Sequence, residues 1–159
     1  MTWTFARLTD LATGYWGSAA LSAAVDLGVF EALAAREQAA DSLAETLGAS
    51  PRHLGELLQA LVAIGLLEKT DGGYRIDASA RPFLDPACET CLLGALRFNA
   101  DLYPLWGRLA DTVRRGAPAL PSGAHLGMDP KQTRTFALGM NSRAMAMAPI
   151  LLPALNLPR

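Results

Sequence analysis

Two cysteines stand three positions apart, a spacing that can serve a redox pair or half of a metal site. Cys88 and Cys91 form this CxxC motif, and the chain has only two histidines, His53 and His125. A structural zinc site needs four ligands, and neither histidine has ligand spacing to the cysteines. A redox pair of the thioredoxin type needs a βαβ context, which the pattern lacks. The motif favours two ordinary, partly buried thiols, with a redox or zinc module as the alternative.

Aromatic and methionine side chains, with polar neighbours, are concentrated in the second half of the chain. Met and aromatic groups suit pockets for flat organic molecules, although the same periodicity also fits a helix core. The residues of this kind on two predicted helices include Phe98, Tyr103, Trp106, Met140, Asn141, Arg143 and Met147. By periodicity alone, a helix core is the favoured interpretation. No nucleophile–base constellation and no Gly-rich phosphate loop accompany them. We therefore predict no catalytic residue, no metal ligand and no cofactor site in this chain.

Long helices must position these residues. Apolar residues recur at helical spacing over about 89–115 and again over about 131–152, with a loop over 117–130 between them. Pro104 is expected to kink or restart the first helix, and Pro149 and Pro153 to bend or end the second. The N-terminal segment is also helical, with a stripe rich in small residues that ends at Gly28.

The pattern over residues 29–77 predicts three short helices followed by a hairpin, the order of a winged helix-turn-helix. Ser42 and Glu45 have capping-box spacing, and Ser50–Pro51 is typical of a helix start. The residues 70–73, Thr-Asp-Gly-Gly, separate two strand candidates and provide strong hairpin chemistry. The predicted fold class is therefore mainly α, with one small β-hairpin.

Charge argues against DNA as the partner of this winged helix. Residues 1–85 hold six Lys/Arg against eleven Asp/Glu, whereas residues 86–159 hold eight against four. Duplex binding needs several cations on phosphates, and the predicted recognition helix offers Arg52 and His53 beside Glu56. We expect no nucleic-acid partner. A stand-alone winged-helix transcriptional regulator or small-molecule-binding dimer remains the alternative.

Hydropathy predicts a protein that does not enter membranes. The longest uncharged runs have 15 residues, and a membrane span needs about 20 apolar ones. Asp10 interrupts the start of the chain before any apolar segment of a signal peptide. The predicted location is the cytoplasm.

Several segments, in this order and spacing, resemble the N-terminal dimerisation domain of bacterial and plant-type S-adenosylmethionine-dependent small-molecule O-methyltransferases. The resemblance covers nearly the whole chain, and the segments that carry it are 15–33, 42–45, 57–67, 73–76, 105–118 and 136–140. The stretch 122–130 is shorter than the corresponding segment of many family members.

The resemblance implies that residues 1–159 form one dimerisation and substrate-lid domain, intertwined with a second copy. It also implies that S-adenosylmethionine and the catalytic base belong to a separate Rossmann-like domain, which we expect to be absent from these residues. The parent enzyme would methylate a hydroxyl of an aromatic or polyketide-like metabolite of secondary metabolism, and the isolated chain would be inactive. The seven candidate residues named above would face the substrate.

Overall fold

The computed structural model describes residues 2–120, 127 and 129–155, and the chain there is mostly helical. Its first five helices are α1 (Phe5–Thr13), α2 (Tyr15–Leu27), α3 (Val29–Ala35), α4 (Ala40–Leu47) and α5 (Pro51–Ala63). A hairpin of β1 (Leu67–Thr70) and β2 (Gly73–Ile76) follows. The remaining helices are α6 (Arg81–Leu84), α7 (Leu93–Trp106), α8 (Leu109–Arg115) and α9 (Pro130–Ala154). The mainly α fold class with a small hairpin is confirmed.

The core lies between α2, the three short helices and the hairpin. Residues that are fully buried there come from each helix in turn: Val25, Val29, Phe30, Leu33, Leu43, Leu58 and Leu61. Gly28 ends α2 in the left-handed region at φ 78° and turns the chain into α3, as the sequence predicts. Gly48 ends α4 in the same way, at φ 62°. The order helix, helix, helix, hairpin is thus the one predicted for 29–77.

The hairpin is antiparallel, with Leu67 opposite Ile76 and Lys69 opposite Tyr74. Gln38 adds a short third rung, because its backbone N–H and C=O both bond to Tyr74, at 3.2 and 2.8 Å. Gly73, at φ 135°, lies so close to the Gln38 backbone that a Cβ there would collide with it. This rung anchors the hairpin to the end of α3.

One predicted helix start is wrong, and two prolines predicted to bend or end a helix lie inside it. Ser42 does not cap α4, because the helix already begins at Ala40, and the N-cap position belongs to Ala39. Pro149 and Pro153 do not end α9, which continues to Ala154. Each proline removes one backbone N–H and frees one carbonyl, but this end of the helix is exposed, so water can satisfy those carbonyls. Ser50–Pro51 does open α5, as predicted.

The N-terminal segment and the Pro104 region differ from the predicted single helices in detail. A turn at Gly14 separates α1 from α2. Pro104 is accommodated inside the last turn of α7, and the chain leaves the helix at Gly107 before α8 begins. The four-residue helix α6 has no counterpart in the prediction. Half of the loop expected over 117–130 lies outside the described residues.

The long helices α7 and α9 pack together where glycines remove the side chains. A Cβ on Gly139 would lie 2.9 Å from Cβ of Phe98, and a Cβ on Gly94 would lie 2.5 Å from Oγ of Ser142. Small residues of this kind allow two helices to approach closely. The crossing sets the geometry of the side chains discussed next.

Within the described residues, no single helix is long and apolar enough to cross a bilayer. The helical segments Phe5–Leu27 and Val29–Ala35 reach the required length and apolar composition only when they are taken together, and a bend of 64° separates them.

Candidate substrate-facing site

The helix α7 has an open groove on each of two sides. The groove between α2 and α7 has a volume of about 360 Å³. Its lining is mainly apolar and aromatic, with hydroxyl and amide groups from both helices: Tyr15, Ser18, Leu21, Ser22, Leu96, Asn99, Leu102, Tyr103 and Trp106. We call it the α2–α7 groove. Apolar walls with a few placed polar groups are typical of sites for small organic ligands.

The second groove lies between α7 and the beginning of α9, and has a volume of about 340 Å³. We call it the α7–α9 groove. Its apolar side is formed by Phe98, Leu102 and Leu105, and its polar side carries charged groups of both signs, Asp101, Asp129 and Lys131. Asp129 is also the N-cap of α9, because its carboxylate accepts the Lys131 backbone N–H at 2.8 Å. One carboxylate of this groove is therefore already engaged in holding the helix.

A polar contact joins the two helices beside these grooves. The half-buried Arg143 of α9 donates from its guanidinium to Oδ1 of Asn99 on α7, at 2.5 Å. Its guanidinium carbon lies 5.9 Å from the centre of the Phe98 ring, at the outer limit of a cation–π contact. Phe98 in turn meets Phe136 edge-on, with ring centres 5.5 Å apart. This contact orients a cation among aromatic rings.

The structure divides the seven predicted residues between different surroundings. Tyr103 and Trp106 line the α2–α7 groove. Phe98 lies on the other side of α7, in the α7–α9 groove. Arg143 is joined to the first groove through Asn99. These four thus lie on or beside α7, but they do not converge on one cavity in the chain as described.

The remaining three predicted residues line neither groove. Met140 is half-buried, Asn141 is exposed, and Met147 is 51% exposed further along α9. The prediction missed the contribution of α2 to the first groove, from Tyr15 and the serines of that helix. The available signal was the cluster of small residues, which we read only as a helix-packing surface.

Large apolar side chains are exposed over the N-terminal helices. Phe5 is 88% exposed, Leu11 68% and Trp16 62%, and Trp3, Leu8 and Tyr15 are more than half exposed as well. A second exposed set lies towards the end of α9, where Ile150 is 74% exposed. Monomeric soluble proteins rarely expose contiguous apolar patches of this kind, and such patches mark interaction surfaces.

The cysteines lie in the turn between α6 and α7. Both thiols are half-buried, and burial is the main cause that raises the pKa of the Cys91 thiol, with Cys88 adding to it. Among the described residues, no three His, Cys, Asp or Glu side chains come together as a group that could hold a metal ion.

Comparison with known proteins identifies the class of this domain. Residues 9–86 match the family model of the O-methyltransferase dimerisation domain. The matched region runs from Thr9 within α1 to Pro86, two residues after α6, and so contains most of the core and the whole hairpin. The chain belongs to this family of O-methyltransferase dimerisation domains.

Two curated relatives are O-methyltransferases of Streptomyces species. The chain is 43% identical over 115 residues to 3-hydroxy-5-methyl-1-naphthoate 3-O-methyltransferase of Streptomyces sahachiroi, a match that covers 72% of this chain and 33% of the relative. It is 34% identical over 140 residues to the tetracenomycin polyketide synthesis 8-O-methyl transferase of Streptomyces glaucescens, over 85% of this chain and 41% of the relative. The chain thus spans about a third to two fifths of the length of these relatives.

Among solved structures, the human N-acetylserotonin methyltransferase in complex with SAM matches with a TM-score of 0.81 at 26% identity. That match covers 99% of this chain and 50% of the human chain. The structure of PigF with SAH matches with a TM-score of 0.76 at 29% identity, over 89% of this chain and 45% of the other. The described fold is thus the fold of about half of such an enzyme.

Proposed function

We propose that this chain forms a homodimer through the exposed apolar face of α1 and α2. The observation that carries the proposal is the exposure of the aromatic and leucine side chains on that face, Phe5, Leu11 and Trp16 above all. Burial of apolar surface is favourable by about 25 cal/mol per Å², so a large exposed face gains most from a partner. The membership of residues 9–86 in a dimerisation-domain family supports a second copy as that partner.

We further propose that the domain serves an enzyme that transfers the methyl group of S-adenosylmethionine to a hydroxyl of a fused-ring aromatic or polyketide-like metabolite. The names of the two Streptomyces relatives support this substrate class, because one names a hydroxynaphthoate and the other names tetracenomycin polyketide synthesis. A separate catalytic domain would hold the donor. No catalytic or donor-binding residue is proposed within this chain, whose part is to orient the acceptor and exclude water.

The proposed acceptor surface is the α7 face with its neighbours on α9. Tyr103 and Trp106 offer flat apolar surface for a ring system. Arg143 keeps guanidinium donors beyond the one engaged by Asn99 and suits a carboxylate or phenolate on the acceptor. Met140, Asn141 and Met147 remain proposed contacts further along α9, where a catalytic domain would complete the pocket.

A titration of the isotope-labelled chain with a hydroxynaphthoate tests the acceptor surface by NMR. We expect concentration-dependent shifts of the Trp106 indole N–H and of Asn99 and Arg143 groups, with weaker binding in Trp106→Ala. Ile64→Ala is the matched control, because Ile64 is exposed at the residue after α5 and lines neither groove. Shifts spread evenly over the chain, or none near α7, would contradict this assignment.

The donor side is tested by calorimetry. We expect no measurable binding of S-adenosylmethionine to this chain, since we place the donor in a separate domain. Tight binding would overturn the division of labour proposed here.

We also propose that the winged helix of residues 29–77 serves packing within the dimer rather than DNA binding. Arg52, on the helix that would enter the major groove, pairs with Glu56 at 3.4 Å, and the hairpin turn carries Asp71 in place of a cation. Salt-dependent retardation of random duplex DNA in a gel would instead support the regulator alternative. The cytoplasmic location stays a prediction.

A further inference from the structure

The CxxC motif forms one hydrogen-bonded turn. The backbone N–H of Cys91 donates to the carbonyl of Cys88 at 3.1 Å, which closes the four residues 88–91. The ends of such a turn have Cα atoms within about 7 Å, and protein disulfides bridge Cα separations of roughly 4.4–6.8 Å. The fold therefore brings the two cysteines to a separation that a disulfide can span.

Neighbouring contacts fix this turn in place. Thr90, inside the turn, donates its hydroxyl to the carbonyl of Pro82 at 2.7 Å. Leu92, directly after it, donates its backbone N–H to the carbonyl of Phe83 at 2.7 Å. Both acceptors belong to α6, so the turn is tied to that helix at two points. The backbone of the two cysteines is thus held in this turn by contacts outside the motif.

We propose that Cys88 and Cys91 form a reversible intramolecular disulfide that makes the α6–α7 turn sensitive to the redox state of its surroundings. The inference is independent of the proposed transferase function. The position of the turn gives the disulfide a structural consequence, because the turn leads from the core directly into α7. Oxidation would stiffen the connection between the core and the helix that borders both grooves.

A small disulfide such as glutathione disulfide is the oxidant class that the step requires. The Cys88 thiolate attacks one sulfur of this molecule, the S–S bond breaks, and one glutathione thiolate leaves. Cys91 then releases its proton to solvent and attacks the Cys88 sulfur of the mixed disulfide, which expels the second glutathione thiolate. Two protein thiols are oxidised, one glutathione disulfide is reduced to two glutathiones, and the two protons end on the departing thiolates.

The order of the two cysteines follows from their surroundings. Burial raises the pKa of Cys91, which lowers its thiolate fraction and disfavours it as the first nucleophile. The attack of Cys91 on the mixed disulfide is less affected by this pKa, because the turn holds Cys88 close to Cys91 in the chain. Cys91 is thus the resolving thiol.

Mass spectrometry of the folded 159-residue chain tests the proposal. The chain is incubated with glutathione disulfide in native buffer, and remaining thiols are blocked before digestion with trypsin. Both cysteines fall in one peptide, residues 76–97, because the Arg81–Pro82 bond resists trypsin. We expect this peptide to lose two hydrogens and to take up no blocking group, and excess glutathione to restore both thiols. Cys91→Ser should accumulate glutathione on Cys88, whereas Cys88→Ser should react more slowly.

Three results would overturn the proposal. The first is a native chain in which both thiols stay reduced, and the second is one in which each carries its own glutathione. The third is a disulfide that forms as readily in urea as in native buffer, since proximity would then come from sequence spacing alone. Circular dichroism of both serine variants verifies that they are folded before their reactivity is compared.

Discussion

At the scale of single residues, Gly139 is the position on which the packing of α7 against α9 most depends. It is buried, and a Cβ at this position would lie 2.9 Å from Cβ of Phe98 and 3.3 Å from the carbonyl oxygen of Gly94. Neither neighbour is the end of a flexible side chain, so one helix must move to make room. The candidate acceptor surface on α7 depends on this close approach.

We therefore predict that Gly139→Ala lowers the free energy of unfolding by about 1–3 kcal/mol, the usual cost of overpacking. Gly55→Ala is the matched control, because Gly55 lies inside α5 and a Cβ there meets nothing within 4 Å. That control should gain about 0.5–1 kcal/mol, since alanine is the better helix former. Urea unfolding measures both. Equal effects of the two substitutions would contradict the close crossing.

A second prediction at this scale concerns Asp77, just after β2. The hydroxyl and backbone N–H of Ser79 donate to its carboxylate at 2.5 and 2.8 Å, and they are the largest causes that lower the pKa of Asp77. A carboxyl whose pKa is lower in the folded chain contributes stability above its unfolded pKa, about 3.9. That contribution is lost as the pH falls through the lower folded value.

Ser79→Ala removes the stronger of these hydrogen bonds and should reduce the stability that the chain loses between about pH 5 and pH 2. Urea unfolding at several pH values in this range measures the slope. Ser42→Ala on the exposed face of α4 is the control and should leave the pH dependence unchanged. An unaltered slope in Ser79→Ala would contradict the role assigned to this bond.

At the scale of elements, local chemistry in the sequence predicts most of the fold. Gly28 and Gly48 end their helices because each adopts the left-handed region, and Ser50–Pro51 and the 70–73 turn begin the elements expected of them. The capping box at Ser42 fails because α4 begins two residues earlier, which makes that serine part of the helix. Residue patterns therefore predict the end of a helix or strand reliably only where few residue types can adopt the backbone conformation that is needed there.

What the sequence does not predict depends on contacts between distant segments. The backbone rung between Gln38 and Tyr74 joins residues 36 positions apart, and no local pattern encodes it. The side of α7 on which a residue lies is likewise set by packing against α2 and α9. For this reason Tyr103 and Phe98, five residues apart, line different grooves, although both are aromatic residues of the same helix.

A prediction at the scale of elements concerns the exposed apolar face of α1 and α2. Leu11→Glu places a charge on an apolar face that we propose is buried between two copies, and in a symmetric interface the change occurs twice. We expect the dissociation constant of the dimer to rise at least about tenfold, which corresponds to about 1.4 kcal/mol. Ile64→Glu, at an exposed apolar position directly after α5, should leave the dimer intact. Size-exclusion chromatography over a concentration series distinguishes the two, and equal dissociation by both would contradict the location of the interface.

At the scale of the whole molecule, the chain has one core and more apolar surface than that core can cover. The core occupies the region from α2 to α7, whereas many of the large exposed apolar side chains lie on α1, on α2 and at the end of α9. This distribution fits the dimerisation-domain family to which residues 9–86 belong. It also fits the two Streptomyces relatives, since the chain covers only about a third to two fifths of their length. In our account, a twin subunit covers the N-terminal face and a donor-binding domain covers the end of α9.

Sedimentation equilibrium of the 159-residue chain tests this account most directly. We predict a species of twice the chain mass of 16.8 kDa at micromolar concentration, with dissociation only on dilution. A single species of 16.8 kDa that persists at high concentration would contradict the central claim, because the apolar face of α1 and α2 would then be stable in water without a second copy.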